Sequence, residues 1–161
     1  MSMIIDGTNG LTFNNATTQN SGGKVLQVVN ATTTTSASSS TSTFVDTNLT
    51  ATITPLFSTS KILVLVSQNG MRKGTTSSLD DISIRLVRGS TAISQPAYFA
   101  GYTNSALQFY GLSCSLSYSD SPATTSATTY KTQVANADGT GPVSAQYSGE
   151  MSTITLMEIA V

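Results

Sequence analysis

Along most of this chain apolar and polar residues alternate with a period of two, the trace left by strands that bury one face. "FVDTNLTATITP" places Leu49, Ala51 and Ile53 on one side and Thr50, Thr52 and Thr54 on the other, and Pro55 ends the run. "DISIRLVRGS" points Ile82, Ile84 and Leu86 inward and Ser83, Arg85 and Val87 outward, with Gly89 and Ser90 as a turn. "GLSCSLSYSDSP" sends Ser113, Ser115 and Ser117 to water, and "TTYKTQVAN" turns Tyr130, Thr132 and Val134 inward. "KILVLVSQN" is apolar on both faces from Ile62 to Val66, which predicts a strand covered on both sides. Nowhere do apolar residues keep helical spacing over three turns. About eight strands separated by turn signals at roughly 8–15-residue spacing predict an all-β fold, a β-sandwich or jelly roll of antiparallel strands.

Other segments are less regular. Val25–Val29 reads as a short strand, and the low-complexity run Asn30–Thr43 after it is either a flexible loop or a Thr-rich edge strand. "NGMRKGTTSS", from Asn69 to Ser78, reads as an exposed loop that presents Arg72 and Lys73. The stretch Tyr98–Tyr110 holds most of the aromatic residues. These rings either fill a core that lacks tryptophan or, on a loop, face a ligand; Tyr98, Phe99 and Tyr102, with Arg72 and Lys73, form the candidate ligand loop. In the last strand Ile154 and Leu156 face one way and Met157, Ile159 and Val161 the other. An apolar strand of this kind lies either deep in the core or at a subunit seam, so all five are candidate interface residues.

The first 22 residues differ from the rest. "MIIDGTNGLTFNN" predicts a strand, a tight Gly-Thr-Asn-Gly turn and a second strand, followed by the polar run Asn14–Gly23. A two-stranded hairpin is marginal in water by itself. The segment is therefore expected to act as a short extended attachment arm (residues 1–22) ahead of the sandwich (23–161), with Met3, Ile4, Ile5, Leu11 and Phe13 as its contact residues. No basic, apolar leader and no stretch of membrane-spanning length is expected from these residues.

Composition narrows the function. Only 9% of residues are charged and the net charge is −1, while Ser and Thr make up roughly a third of the chain. Hydroxyl groups must keep this surface soluble. A chain without a basic patch is a poor match for nucleic acid or for an anionic membrane. There is no histidine, which removes the usual triads and the commonest metal ligand. The single cysteine, Cys114, shares the inward parity of Leu112 and Leu116 and reads as a small buried hydrophobe. Asp80 and Asp81 read as a solvated loop-to-strand junction, and Asp120 and Asp138 as turn residues. Glu158 is the exception, because it shares the parity of Ile154 and Leu156. It needs a partner, for which Arg85, Arg88 or Lys131 are candidates. No catalytic residue, cofactor or metal ligand is expected.

Five segments, "GGKVLQVVNATTTTS", "TSTFVDTNLTATITPLFSTSKILVLVSQNG", "LDDISIRLVRGSTAI", "SYSDSPATTSATTYKTQ" and "STITLMEIAV", resemble a domain of tailed-bacteriophage structural proteins, notably of cyanobacterial and marine phages. "IIDGTNGLTFNNATTQN" resembles segments that precede such domains in tail-fibre proteins. The resemblance implies a non-enzymatic, homotrimeric β-sandwich on the virion surface, made in the host cytoplasm. A short arm without heptads or shaft repeats fits a capsid decoration, or cement, protein that binds the major capsid protein or another virion protein. The alternative is the receptor-binding tip of a tail or head fibre, with a host-surface glycan or protein as its partner.

Overall fold

A computed structural model describes residues 24–74, 79–101, 109–139 and 141–161, together with the backbone of three short strands nearer the start. Those three, β1 (Ile4–Asp6), β2 (Gly10–Thr12) and β3 (Thr18–Gln19), form a small antiparallel sheet of their own. Ile4 lies opposite Thr12 and Asp6 opposite Gly10, the register expected of a hairpin closed at the Gly-Thr-Asn-Gly turn. The arm is thus a small meander rather than an extended strand.

Ten strands build the sandwich: β4 (Val25–Thr33), β5 (Ala37–Ser39), β6 (Val45–Ile53), β7 (Lys61–Lys73), β8 (Ile82–Arg88), β9 (Thr91–Ala100), β10 (Phe109–Asp120), β11 (Thr128–Ala135), β12 (Val143–Ala145) and β13 (Ser152–Ile159). The long β7 pairs with β10 on one side, and on the other with β13 along its first half and β12 at its end. β4 and β5 lie outside β13 and β12 in the same way. The first sheet therefore has four lanes, β10, β7, β12/β13 and β5/β4, and the second runs β6–β11–β8–β9. Taking β4/β5 as the first lane and β12/β13 as the last, the lane orders are 1-8-3-6 and 2-7-4-5. All pairings are antiparallel, and this is the jelly-roll arrangement of two interleaved Greek keys.

The alternating residues close the space between the sheets. Leu49, Ala51 and Ile53 from β6 meet Ile62, Val64 and Val66 from β7, with Leu86, Tyr130, Ile154 and Leu156, in one buried cluster. Met71, Ile82, Ile84, Val134 and Val143 form a second. Each large apolar side chain removed from water contributes about 1.5–3 kcal/mol. Buried polar groups link the two sheets alongside these clusters. The hydroxyls of Thr47 and Thr132 share a 2.5 Å hydrogen bond, Thr132 donates to Gln68 Oε1 at 2.7 Å, and Gln68 Nε2 donates to Ser152 at 3.0 Å. Each group is satisfied, so this chain fixes sheet-to-sheet register without an orphaned dipole.

One open alternative is resolved and three expectations change. The Ser/Thr-rich run is an edge lane, since β4 extends to Thr33 and β5 follows. Leu63 and Leu65 are half-buried, so β7 is covered on one face only. Asn69–Lys73 is not an exposed loop; β7 continues through it, and Met71 and Lys73 are buried. Ser83 and Val87 point outward and are nevertheless buried, because β8 is an inner strand and Arg85, stacked 4.0 Å from the Phe44 ring, shares their face.

Candidate functional site

The outer face of the first sheet is the least complete surface of the sandwich. Cross-strand pairing sets Val28 opposite Met157 and Met157 opposite Leu63, an apolar row across β4, β13 and β7. Leu65 and Thr155 form the next row, flanked by Asn30 and Ser117. Ile159 lies one step toward the other end, opposite Lys61. Val28 is 56% exposed, while Leu63, Leu65, Met157 and Ile159 are half-buried. Beyond them Val161 is 81% exposed. Ile154 and Leu156 are fully buried in the main core cluster, a correction that takes both out of any subunit seam. Strand parity sets Met157 and Ile159 on the opposite face, as expected from the sequence.

Glu158 lies on the other, inward face of β13, between Met157 and Ile159 in sequence. It is buried, and among the described residues it has no cationic partner, which corrects the expectation of Arg85, Arg88 or Lys131. Gln27 Nε2 donates to its Oε2 at 2.6 Å, and the backbone N–H groups of Leu56 and Phe57 donate to its Oε1 at 2.8 and 3.3 Å. Burial pushes its pKa up, but these hydrogen bonds outweigh that effect and hold the carboxyl below its ordinary value. The consequence is positional. Leu56 and Phe57, 59% and 56% exposed, are held in place in the connection between β6 and β7.

The three cations proposed for Glu158 are engaged elsewhere. Arg88 forms a 2.8 Å ion pair with Asp120, which is buried at the end of β10 and is not the turn residue expected. Tyr130 donates to the same carboxylate at 2.7 Å; its burial and this bond push the phenol pKa well above the ordinary range. Lys131 pairs with Asp46 at 2.8 Å, and Arg85 Nε donates to Gln133 at 2.8 Å.

Asp80 and Asp81 are both buried, which corrects their reading as a solvated junction. Asp80 Oδ1 accepts from Asn136 Nδ2 at 2.7 Å and from Gly141 N at 2.9 Å, and Asp81 Oδ1 accepts from Ala137 N at 3.2 Å. A Cβ on Gly139 would collide with Asp80 Oδ1, so the 136–141 loop wraps the acids closely. Burial raises the Asp81 pKa even though the charge of Lys73 opposes this. The arrangement is a structural knot that closes one end of the sandwich. Among the described residues no three groups are placed to hold a metal ion. Burial likewise pushes the Cys114 thiol pKa up, away from a reactive thiolate.

The candidate ligand loop is not one loop. Lys73 is buried, and Tyr102 lies outside the described residues. Tyr98 and Phe99 are exposed on β9 with ring centroids 3.9 Å apart. Arg72 instead lies against the rings of Tyr110 and Tyr147. Tyr147 was not singled out from the sequence; the only local signal is the Gly149 that follows in "AQYSGE". Of the arm residues, Ile4, Ile5 and Leu11 fall in β1 and β2, while Met3 and Phe13 lie outside the described residues. Two open hollows, of 390 and 360 Å³, lie over the second sheet; Arg88, Thr91, Pro122 and Thr128 line one, and Asp46, Thr50 and Lys131 the other.

No known family matches the sequence of this chain, and no curated protein is similar to it.

Proposed function

We propose that the protein is a non-enzymatic structural component of a tailed-phage virion, a capsid decoration protein that works as a homotrimer. The observation that carries this reading is the outer face of the first sheet. Its apolar rows, Val28–Met157–Leu63 with Leu65 and Ile159, lie together on the face of a four-lane sheet. Contiguous apolar surface of this kind marks an interaction site on a folded domain. Around a three-fold axis each copy can bury these rows against its two neighbours at no cost in charge.

The phage context comes from the quoted sequence segments and agrees with the jelly-roll topology. The mechanism is mass action. A partner that binds only the assembled shell stabilises it by the free energy of that binding. The β1–β3 sheet suits attachment, because among the described residues it pairs with no strand of the sandwich. Its edges can add to a strand of a capsid subunit. The buried carboxylates described above act as acceptors for backbone amides, Asn136, Gln27, Arg88 and Tyr130, and the reading assigns them no chemistry.

The test is sedimentation of the purified chain, then cosedimentation with capsids. The expected species has about three times the 16.7 kDa chain mass. Removing residues 1–22 should leave that trimer intact and abolish capsid binding. A monomer at micromolar concentration, or undiminished binding by the shortened chain, would sink the proposal. The second reading, a receptor-binding tip, draws on the exposed Tyr98–Phe99 pair; gold labelling confined to the tail would select it.

A further inference from the structure

We propose that the bulged end of the β7–β10 pair is a saccharide-binding site built from Arg72, Tyr110, Gly111, Tyr147 and Glu150. This goes beyond the structural role above and does not depend on it.

The backbone is irregular here on both strands. Between the pairs Phe109–Lys73 and Leu112–Met71, two residues of β10, Tyr110 and Gly111, face the single residue Arg72. Between Leu112–Met71 and Cys114–Gln68 the excess is reversed, with Asn69 and Gly70 facing Ser113. Bulges re-aim side chains, and two adjacent ones on opposite strands turn Arg72 and Tyr110 toward each other. Gly70 has a φ of +60°, and a Cβ there would stand 2.7 Å from Tyr147 N. Only glycine lets the chain after β12 cross so close to β7. That crossing segment is itself strained: Gln146 and Ser148 hold left-handed φ values of 52° and 59°, a conformation unfavourable to residues other than glycine.

The result of this irregularity is a placed aromatic pair around a cation. The Arg72 guanidinium carbon lies 4.2 Å from the Tyr147 ring centroid and 5.0 Å from that of Tyr110, and the two rings are 5.8 Å apart. Arg85 and Arg88 are bonded to side-chain oxygens, whereas Arg72 has no ion pair among the described residues. Its Nε is shielded and has no hydrogen-bond partner among the described residues, and the side chain as a whole is half-buried. Tyr110 is 52% exposed. Gly111, at a φ of +68°, leaves open space where a side chain would be, and the nearest atom there is Glu150 Oε1, 4.0 Å from the position of a Cβ.

An exposed aromatic face, a forked donor, a carboxylate acceptor and a floor without a side chain match the chemistry of a sugar ring. Its C–H face lies on Tyr110, and two neighbouring hydroxyls accept from Arg72 and donate to Glu150. The Glu150 charge beside the floor disfavours an anion, which makes a neutral hexose or N-acetylhexosamine unit the fitting class.

The test is saturation-transfer NMR on the full chain, with methyl glycosides of glucose, galactose, mannose, N-acetylglucosamine and glucuronic acid as probes. The proposal expects transfer to at least one neutral glycoside, with a millimolar Kd. Tyr110→Ala and Glu150→Gln, both at exposed positions, should each weaken binding at least five-fold in chains that remain folded by circular dichroism. Arg72→Lys, which keeps the charge and loses the fork, should do the same. Absence of transfer to every neutral glycoside overturns the proposal, as does binding that is equal in the wild type and the Tyr110→Ala and Glu150→Gln variants. Binding of glucuronide alone, strengthened by Glu150→Gln, overturns it in favour of an anion site.

Discussion

The two sheets of this sandwich treat their outer faces in opposite ways. On the second sheet many outward groups pair across strands: Lys131 with Asp46, Gln133 with Asp46, Arg85 with Gln133 and Phe44, and Thr52 with Thr129. That face is a finished surface. On the first sheet, β10 presents a file of serines, while β7, β13 and β4 present Leu63, Leu65, Met157, Ile159 and Val28. Polar pairs cover one face and nothing described covers the other. In a chain with so few charges, where the polar pairs were placed shows which face is built to stay in water.

The comparison breaks most readily at the apolar rows. Leu63→Asp combined with Met157→Asp should abolish self-association, raising the dissociation constant at least 100-fold by sedimentation. Each carboxylate would otherwise be buried unpaired in the seam, at a cost of several kcal/mol. The matching pair on the other face, Thr50→Asp with Thr52→Asp, should leave association unchanged. Loss of association in both variants would refute the asymmetry.

Gly70→Ala comes next. It forces a Cβ against Tyr147 N at a left-handed position and should cost about 2–4 kcal/mol by chemical denaturation. A neutral result would show that the β7 bulge is not held by close approach.

Glu158→Gln should cost about 1–3 kcal/mol, because its new amide N–H group would face Gln27 Nε2 donor to donor. The same variant has a pH signature. Since the folded pKa lies below the ordinary 4.5, the wild-type contribution is complete above 4.5 and is lost as pH falls through the folded value. Glu158→Gln should therefore flatten the acid limb of the stability profile. Asp81, whose pKa is raised, works in the opposite sense, its ionisation costing stability as pH climbs above 3.8. Smallest of all, Lys131→Ala on the finished face should cost about 0.2–1 kcal/mol, and less in high salt.

Most of the fold was legible in the sequence because a strand with one buried face leaves a period-two record. β6, β8, β10, β11 and β13 lie where the alternation puts them, with Leu49, Ile84, Cys114, Val134 and Leu156 facing inward. The jelly-roll lane order was not legible, since alternation carries no information about which strands pair. Polar residues were misread where a local charge was taken as a mark of exposure. Lys73, Asp80 and Asp81 are buried because their partners come from elsewhere; Asn136 and Gly141 reach Asp80 from 56 and 61 positions along the chain. The candidate sites were partly legible. Met157, Ile159 and Arg72 were named, but Val28, Leu63 and Leu65 as a surface, and Tyr147 over Arg72, depend on pairings that no local pattern encodes.

The lane order also sets a timetable for biosynthesis. β4 has β13 as its sheet neighbour, and Gln27 meets Glu158 across 131 positions of chain. At translation rates of roughly 5–20 residues per second, the first lane waits on the order of ten seconds for its partner. Throughout that interval a strand with unpaired amides is exposed to every other nascent chain. Beyond Val29, the hydroxyl-rich sequence from Asn30 to Thr43 places no large apolar side chain along that waiting edge. The low-complexity run that looked least structured is thus well suited to stay in solution, unpaired, until the last strand arrives.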